Sequence, residues 1–172
     1  FARTLGLETR RVQFTPDTLP SDILGFSVYD KQSGRLEYKP GAVMTNLLLA
    51  DEINRTSSRT QAALLEAMEE RRVTVDGVTH PLPAPFVVLA TQNPIGSAGT
   101  QRLPASQLDR FLVRLSMGYP DRAAQLAIMK ERHHTDPLDA VQAVADIAAL
   151  QRLIDEVSQV FIADPLYDYG AR

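Results

Sequence analysis

The feature that most narrows what this chain can fold into is a pair of short apolar runs, each ending in polar side chains. AVMTNLLLA passes straight into Asp51 and Glu52, and PFVVLATQNP passes into Asn93 before Pro94 stops it. Runs without polar alternation suit strands buried on both faces, as in parallel sheets covered by helices. Between them, from Ser57 to Glu70, the positions Ala62, Leu65, Met68 and Ala63, Leu64, Ala67 recur at three- and four-residue spacing. That spacing predicts an amphipathic helix, with Thr56 or Ser57 as its N-cap. Buried strand, helix and buried strand in succession predict an α/β fold with a parallel sheet.

The remaining segments fill in around this unit. Alternation at Arg11–Thr15 reads as a short strand, and PDTLPSDILG is turn-rich. FSVYDKQSGRLEYKPG reads as a hairpin around Lys-Gln-Ser-Gly, and RVTVDGVTHPL as a second hairpin around Asp-Gly. ASQLDRFLVRLSM is expected to be a short helix passing into a strand, and DRAAQLAIMKERHH and DIAALQRLIDEVSQV to be helices. The division expected is an α/β core over residues 1–120 and the beginning of an all-helical lid over 121–172. The start at Phe1, without Met and without a cap, and the abrupt YDYGAR at the other end read as a segment of a longer chain.

Composition removes several classes. With no cysteine there is neither a disulfide framework nor a thiolate metal site, and three histidines, two of them the neighbours His133 and His134, argue against a histidine zinc site. No apolar run approaches the roughly 18 residues of a membrane span, so the chain reads as cytosolic. A net charge of −3 gives no general pull toward nucleic acid.

The polar ends of the two strands then ask for an explanation. Ligands of parallel α/β sheets bind beyond the carboxyl ends of the strands. There Asp51 could hold a hydrated Mg²⁺, and Glu52 could orient an attacking water or take its proton. The plainer alternative is that the two acids only start a helix, where carboxylates suit the dipole. Asn93 could address the same water or phosphate, or simply be a turn residue. In LPASQLDRF, Leu108 and Phe111 look buried and Arg110 points outward. It is either a solvated charge or a cation offered to a phosphoryl group on a neighbouring subunit.

Taken together, these stretches resemble the MoxR family of AAA+ ATPases. LLLADEINR looks like its Walker B motif, VLATQNP like its sensor 1 strand, and LPASQLDRF like its arginine-finger helix. ALLEAMEERRVTVDG and FTPDTLPSDILG also look typical of the family. The similarity runs from about Phe14 to about Pro120. It implies a P-loop NTPase-like core with β-hairpin inserts and a Mg²⁺-dependent ATPase working as a homo-oligomeric ring, commonly a hexamer. It also implies a chaperone-like role on client proteins, often beside a von Willebrand A domain partner. By the same resemblance Asp51 would coordinate Mg²⁺ through water, Glu52 would activate the attacking water, and Asn93 would sense the γ-phosphate of ATP. Arg110 would reach the next subunit's nucleotide, with Arg55 a weaker candidate for contact across that boundary. The hairpin Phe26–Pro40 matches the family's insert, facing pore or substrate.

The departures are specific. The glycine-rich G-x-x-x-x-G-K-[ST] loop is absent, so the chain as given is expected to bind ATP poorly. Near Gly99, SAGTQRLPAS differs from the family's usual acidic version, and no sensor 2 arginine can be placed, Arg172 standing too close to the end. The competing class is a non-hydrolysing interaction module on the same scaffold, working through its hairpins. A motor acting on nucleic acid is disfavoured by the acidic balance and the absence of a basic, aromatic stripe. On the hairpin, Phe26, Tyr29 and Tyr38 could grip a polypeptide, but packing onto the domain is the favoured expectation.

Overall fold

The computed structural model describes residues 1–93, 103–131 and 137–171. Its centre is a three-stranded parallel sheet in the order β1 (Thr9–Gln13), β4 (Leu47–Asp51), β7 (Val87–Ala90). Two excursions link the strands. The first carries the short helix α1 (Pro20–Leu24) and the hairpin β2 (Gly25–Asp30) and β3 (Arg35–Pro40). The second carries α2 (Ser58–Glu70) and the hairpin β5 (Arg72–Val75) and β6 (Val78–Pro81). The α/β expectation therefore holds, with both hairpins where turn chemistry puts them.

Central β4 buries Leu47, Leu48 and Ala50. Against Leu48 and Ala50 pack Phe14, Ile23, Val43, Ile53, Leu64, Leu65 and Ala67, in one core with Val73, Leu82 and Leu103. α2 begins as its sequence requires: the Ser57 hydroxyl accepts from the Thr60 N–H. It ends on Arg71, whose backbone is left-handed (φ 52°, ψ 29°) and whose N–H donates to Ala67 O. The hairpin β5–β6 turns through Asp76 and Gly77, both at positive φ, the conformation an Asp-Gly turn supplies.

The hairpin β2–β3 is pinned at its base by two glycines. A Cβ on Gly25 would lie 2.5 Å from Lys39 O, and one on Gly41 would lie 2.3 Å from Gly25 N. Tyr38 donates to Leu24 O and stacks on His80 at 3.9 Å, joining the two hairpins. Packing thus accounts for Tyr38 but not for Phe26 or Tyr29, which stay 50% and 60% exposed. A two-stranded ribbon has no covering layer to bury them.

One expected strand is missing. After α3 (Ala105–Leu108) the chain runs irregularly to α4 (Arg122–Glu131), and Leu112, Leu115 and Met117 are almost fully exposed. A strand exists only with a ladder partner, and among the described residues this segment has none, although its composition favours extension. The two helices expected beyond residue 121 form as α4 and α5 (Ile147–Ser158, capped by Asp146), and a third, α6 (Asp164–Gly170), follows them. Backbone bonds from Val144 and Ala145 to Thr4 O, and a contact of Arg3 with Leu138 O, tie this part to the first residues. Pro94, Gly99, His133, His134 and Arg172 lie outside the described residues.

Candidate functional site at the strand tips

The parallel register decides which side chains meet. Gln13 lies opposite Asp51, and Ala50 opposite Ala90, so β1, β4 and β7 end level with one another. Beyond that line β4 continues into Glu52 and a 3-10 turn, Ile53–Arg55, while β7 continues into Thr91 and Asn93. Backbone bonds bind the two tails together: Thr91 N–H to Ala50 O, and Ile53 N–H to Thr91 O. The buried Asn54 side chain brackets the Asn93 peptide, donating to its carbonyl at 3.1 Å and accepting from its N–H at 3.3 Å. Buried Gln61 of α2 in turn donates to Ile53 O, so helix packing holds the 3-10 turn in place.

On this frame the two acids take separate partners. Asp51 accepts from Thr91 Oγ1 at 2.5 Å on one carboxylate oxygen and from Arg11 Nη2 at 2.6 Å on the other. Glu52 accepts from Gln13 Nε2 at 2.8 Å and from Arg55 Nη1 at 2.9 Å. A hydrogen bond from the Asn93 side chain reaches it as well. The Thr91 hydroxyl serves both acids, because it also accepts from the Glu52 N–H at 2.9 Å. Glu52 itself is left-handed, φ 54° and ψ 46°, a conformation that costs a non-glycine residue about 1 kcal/mol or more and gathers at functional sites. The twist sends adjacent carboxylates to different neighbours.

The electrostatics follow from these contacts. The Asp51 carboxyl is held below its usual range first by the Thr91 hydroxyl and then by Arg11. Glu52 is held below its own range chiefly by Arg55, with Asn93 contributing and the Asp51 charge opposing. Both acids are therefore anions at neutral pH, and both are about one quarter exposed or less, at 21% and 24%.

Asp51, Glu52 and Asn93 thus come together as their strand positions suggested. Arg110 does not join them: it is exposed and pairs with Glu69 at the end of α2, Nη1 to Oε2 at 3.1 Å. Leu108 and Phe111 beside it pack partly onto the core, as expected. Arg55, considered for a contact between subunits, holds Glu52 within its own chain. Sequence reading missed Arg11, Gln13, Thr91 and Asn54. The polar face of β1 was a signal, since Arg11 and Gln13 are two residues apart on an alternating strand, but only the sheet order points that face at the acids.

As a cation site the tip offers oxygen only. No group of three or more histidines, cysteines or acids gathers among the described residues. One carboxylate with a second beside it suits Mg²⁺, which takes one or two carboxylates and keeps its waters, and does not suit zinc.

Comparison with known proteins places this geometry. Residues 1–113 match the family described as ATPase family associated with various cellular activities (AAA). The chaperone MoxR1 of Mycobacterium tuberculosis is 41% identical over the whole chain, which covers 45% of that protein. The chain belongs to the MoxR family of AAA+ ATPases. Within this family the uncharacterised protein YeaC of Bacillus subtilis is 49% identical over 98% of the chain and 52% of YeaC. A crystal structure of a Cytophaga hutchinsonii protein, provisionally named an ATPase, superposes with a TM-score of 0.86 at 40% identity, over 98% of this chain and 51% of that one. This MoxR-family chain spans about half the length of the relatives it matches. The P-loop ATPase-like α/β fold is thereby established from both sides.

Proposed function

We propose that this chain carries the hydrolytic half of a MoxR-type ATPase, which couples Mg²⁺-ATP hydrolysis to chaperone-like remodelling or maturation of client proteins. The observation that carries the reading is the joint tethering of Asp51, Glu52 and Asn93 at the tips of neighbouring parallel strands. Asp51 would hold Mg²⁺ through water. Bound there, the ion would neutralise charge on the β- and γ-phosphates. Glu52 orients the attacking water and takes its proton, its carboxylate kept ionised by Arg55 and aimed by Gln13. Asn93, fixed through its backbone by Asn54, presents its amide to the γ-phosphate.

In this reading residues 1–120 form the α/β core and 121–172 belong to a helical lid. Arg110 completes a neighbouring subunit's site in a homo-oligomeric ring. A von Willebrand A domain protein fits as partner and the cytoplasm as location; no described helix is long and apolar enough to cross a membrane. The exposed hairpin β2–β3, with Phe26, Tyr29 and Leu36 uncovered, favours a client-facing role and also suits the competing reading of a non-hydrolysing interaction module.

Phosphate release by the complete protein separates the two. The hydrolytic reading expects Mg²⁺-dependent release that falls by about 10²-fold or more in Glu52→Gln, with nucleotide still retained. No release from wild type, with retention indifferent to Glu52→Gln, would establish the module instead.

A further inference from the structure

Two anions stand side by side, and each has its own arginine: Arg11 on Asp51 and Arg55 on Glu52. The two arginines are placed differently. Arg55 follows Glu52 by three residues in a turn pinned by buried Gln61, and its distance from the acid is set locally. Arg11 comes from a separate strand, its side chain is 64% exposed, and among the described residues its polar side-chain partner is the carboxylate of Asp51. Nothing in the core fixes it there except that charge.

We propose that Arg11 is the resident counter-ion of Asp51 and competes with the divalent cation for it, so that the cation affinity of the site is set by how readily this guanidinium gives way. This rests on the proposed role of Asp51 in holding Mg²⁺. The physical ground is simple. A guanidinium nitrogen 2.6 Å from the carboxylate already satisfies one oxygen, while the Thr91 hydroxyl satisfies the other. An incoming divalent ion meets the guanidinium's positive charge at short range, and at such distances like charges cost on the order of a kilocalorie even in a partly solvated site. The arrangement has a use when no cation is bound. Adjacent carboxylates repel, and Arg11 offsets the charge of Asp51 from the side of β1 while Thr91 holds its other oxygen from the end of β7. When the cation enters, the arginine swings out at little cost to the fold, because its own side chain is 64% exposed.

The test measures Mn²⁺ binding, by electron paramagnetic resonance, to the complete protein loaded with ADP, so that no turnover is involved. Arg11→Gln is expected to tighten Mn²⁺ binding on the order of tenfold, and Arg11→Lys, which keeps the charge, to stay within about threefold of wild type. Asp51→Asn serves as the reference for the site itself. If Asp51→Asn abolishes binding but Arg11→Gln leaves it unchanged or weakens it, Arg11 does not compete and the inference falls while the role of Asp51 stands. If Asp51→Asn leaves Mn²⁺ binding unchanged, the metal role of Asp51 fails and this inference with it. Thermal melting of each variant without metal shows whether it is folded. Because Arg11 is exposed, its two variants are expected to melt close to wild type.

Discussion

At the scale of single residues, the site depends on hydrogen bonds that hold two adjacent carboxylates ionised and apart. Thr91 is the residue that serves both, so Thr91→Val is expected to raise the Asp51 pKa toward the ordinary carboxylate range. Carboxyl-carbon NMR titration of the two proteins measures this directly, and an unmoved Asp51 midpoint would mean that Arg11 alone holds the acid. The sign of the pH effect on stability follows from the same contacts. Carboxyls whose folded-state pKa is depressed stabilise the fold above their unfolded values and lose that contribution as pH falls through the folded ones. The melting temperature is therefore expected to be insensitive to these two groups from neutral pH down to roughly pH 4–5, and to fall below it. A scan of melting against pH on wild type and Arg11→Gln should show a smaller acid-side loss in the variant. The acids themselves were legible in the sequence, because an apolar strand ending in charge is conspicuous. Their partners were not. Arg11 and Gln13 sit some forty residues upstream, and a single sequence does not say which strand lies beside which.

At the scale of elements, local chemistry and structure agree wherever the element closes on itself. The Asp-Gly turn, the Ser57 cap and the three- and four-residue apolar spacing of α2 all needed only neighbours in sequence. The strand expected after α3 failed for the opposite reason: a strand is a property of two segments, and Leu112–Met117 finds no ladder among the described residues. Two substitutions weigh α2 as an element. Ser57→Ala removes the acceptor for the Thr60 N–H and should cost about 1 kcal/mol. Arg71→Gly relieves a left-handed C-cap and should gain about 0.5–1 kcal/mol, since glycine adopts that conformation freely. Urea unfolding of the complete protein measures both. A loss on Arg71→Gly would mean that the arginine side chain contributes more than its backbone strain takes away.

At the scale of the whole molecule, the strand tips and Arg110 have separate positions, and that separation is what a site shared between subunits requires. Within one chain Arg110 leans on Glu69. In the proposed reading Arg110, kept away from Asp51 and Glu52 of its own chain by this pairing, serves a neighbour's site instead. Arg110→Ala is therefore expected to reduce hydrolysis in assembled rings and to leave nucleotide retention unchanged. Mixing it with Glu52→Gln protein should restore part of the activity, because each variant can supply what the other lacks. Additive loss on mixing, measured as phosphate release at fixed total protein, would confine Arg110 to a surface ion pair. In the proposed function the ends of β4 and β7 address one nucleotide and its divalent ion. The most direct measurement is a crystal structure of the complete Glu52→Gln protein with Mg²⁺ and ATP. The ion is expected beside Asp51 and the γ-phosphate within hydrogen-bonding reach of Asn93; a nucleotide bound away from both strand tips would contradict the proposed function.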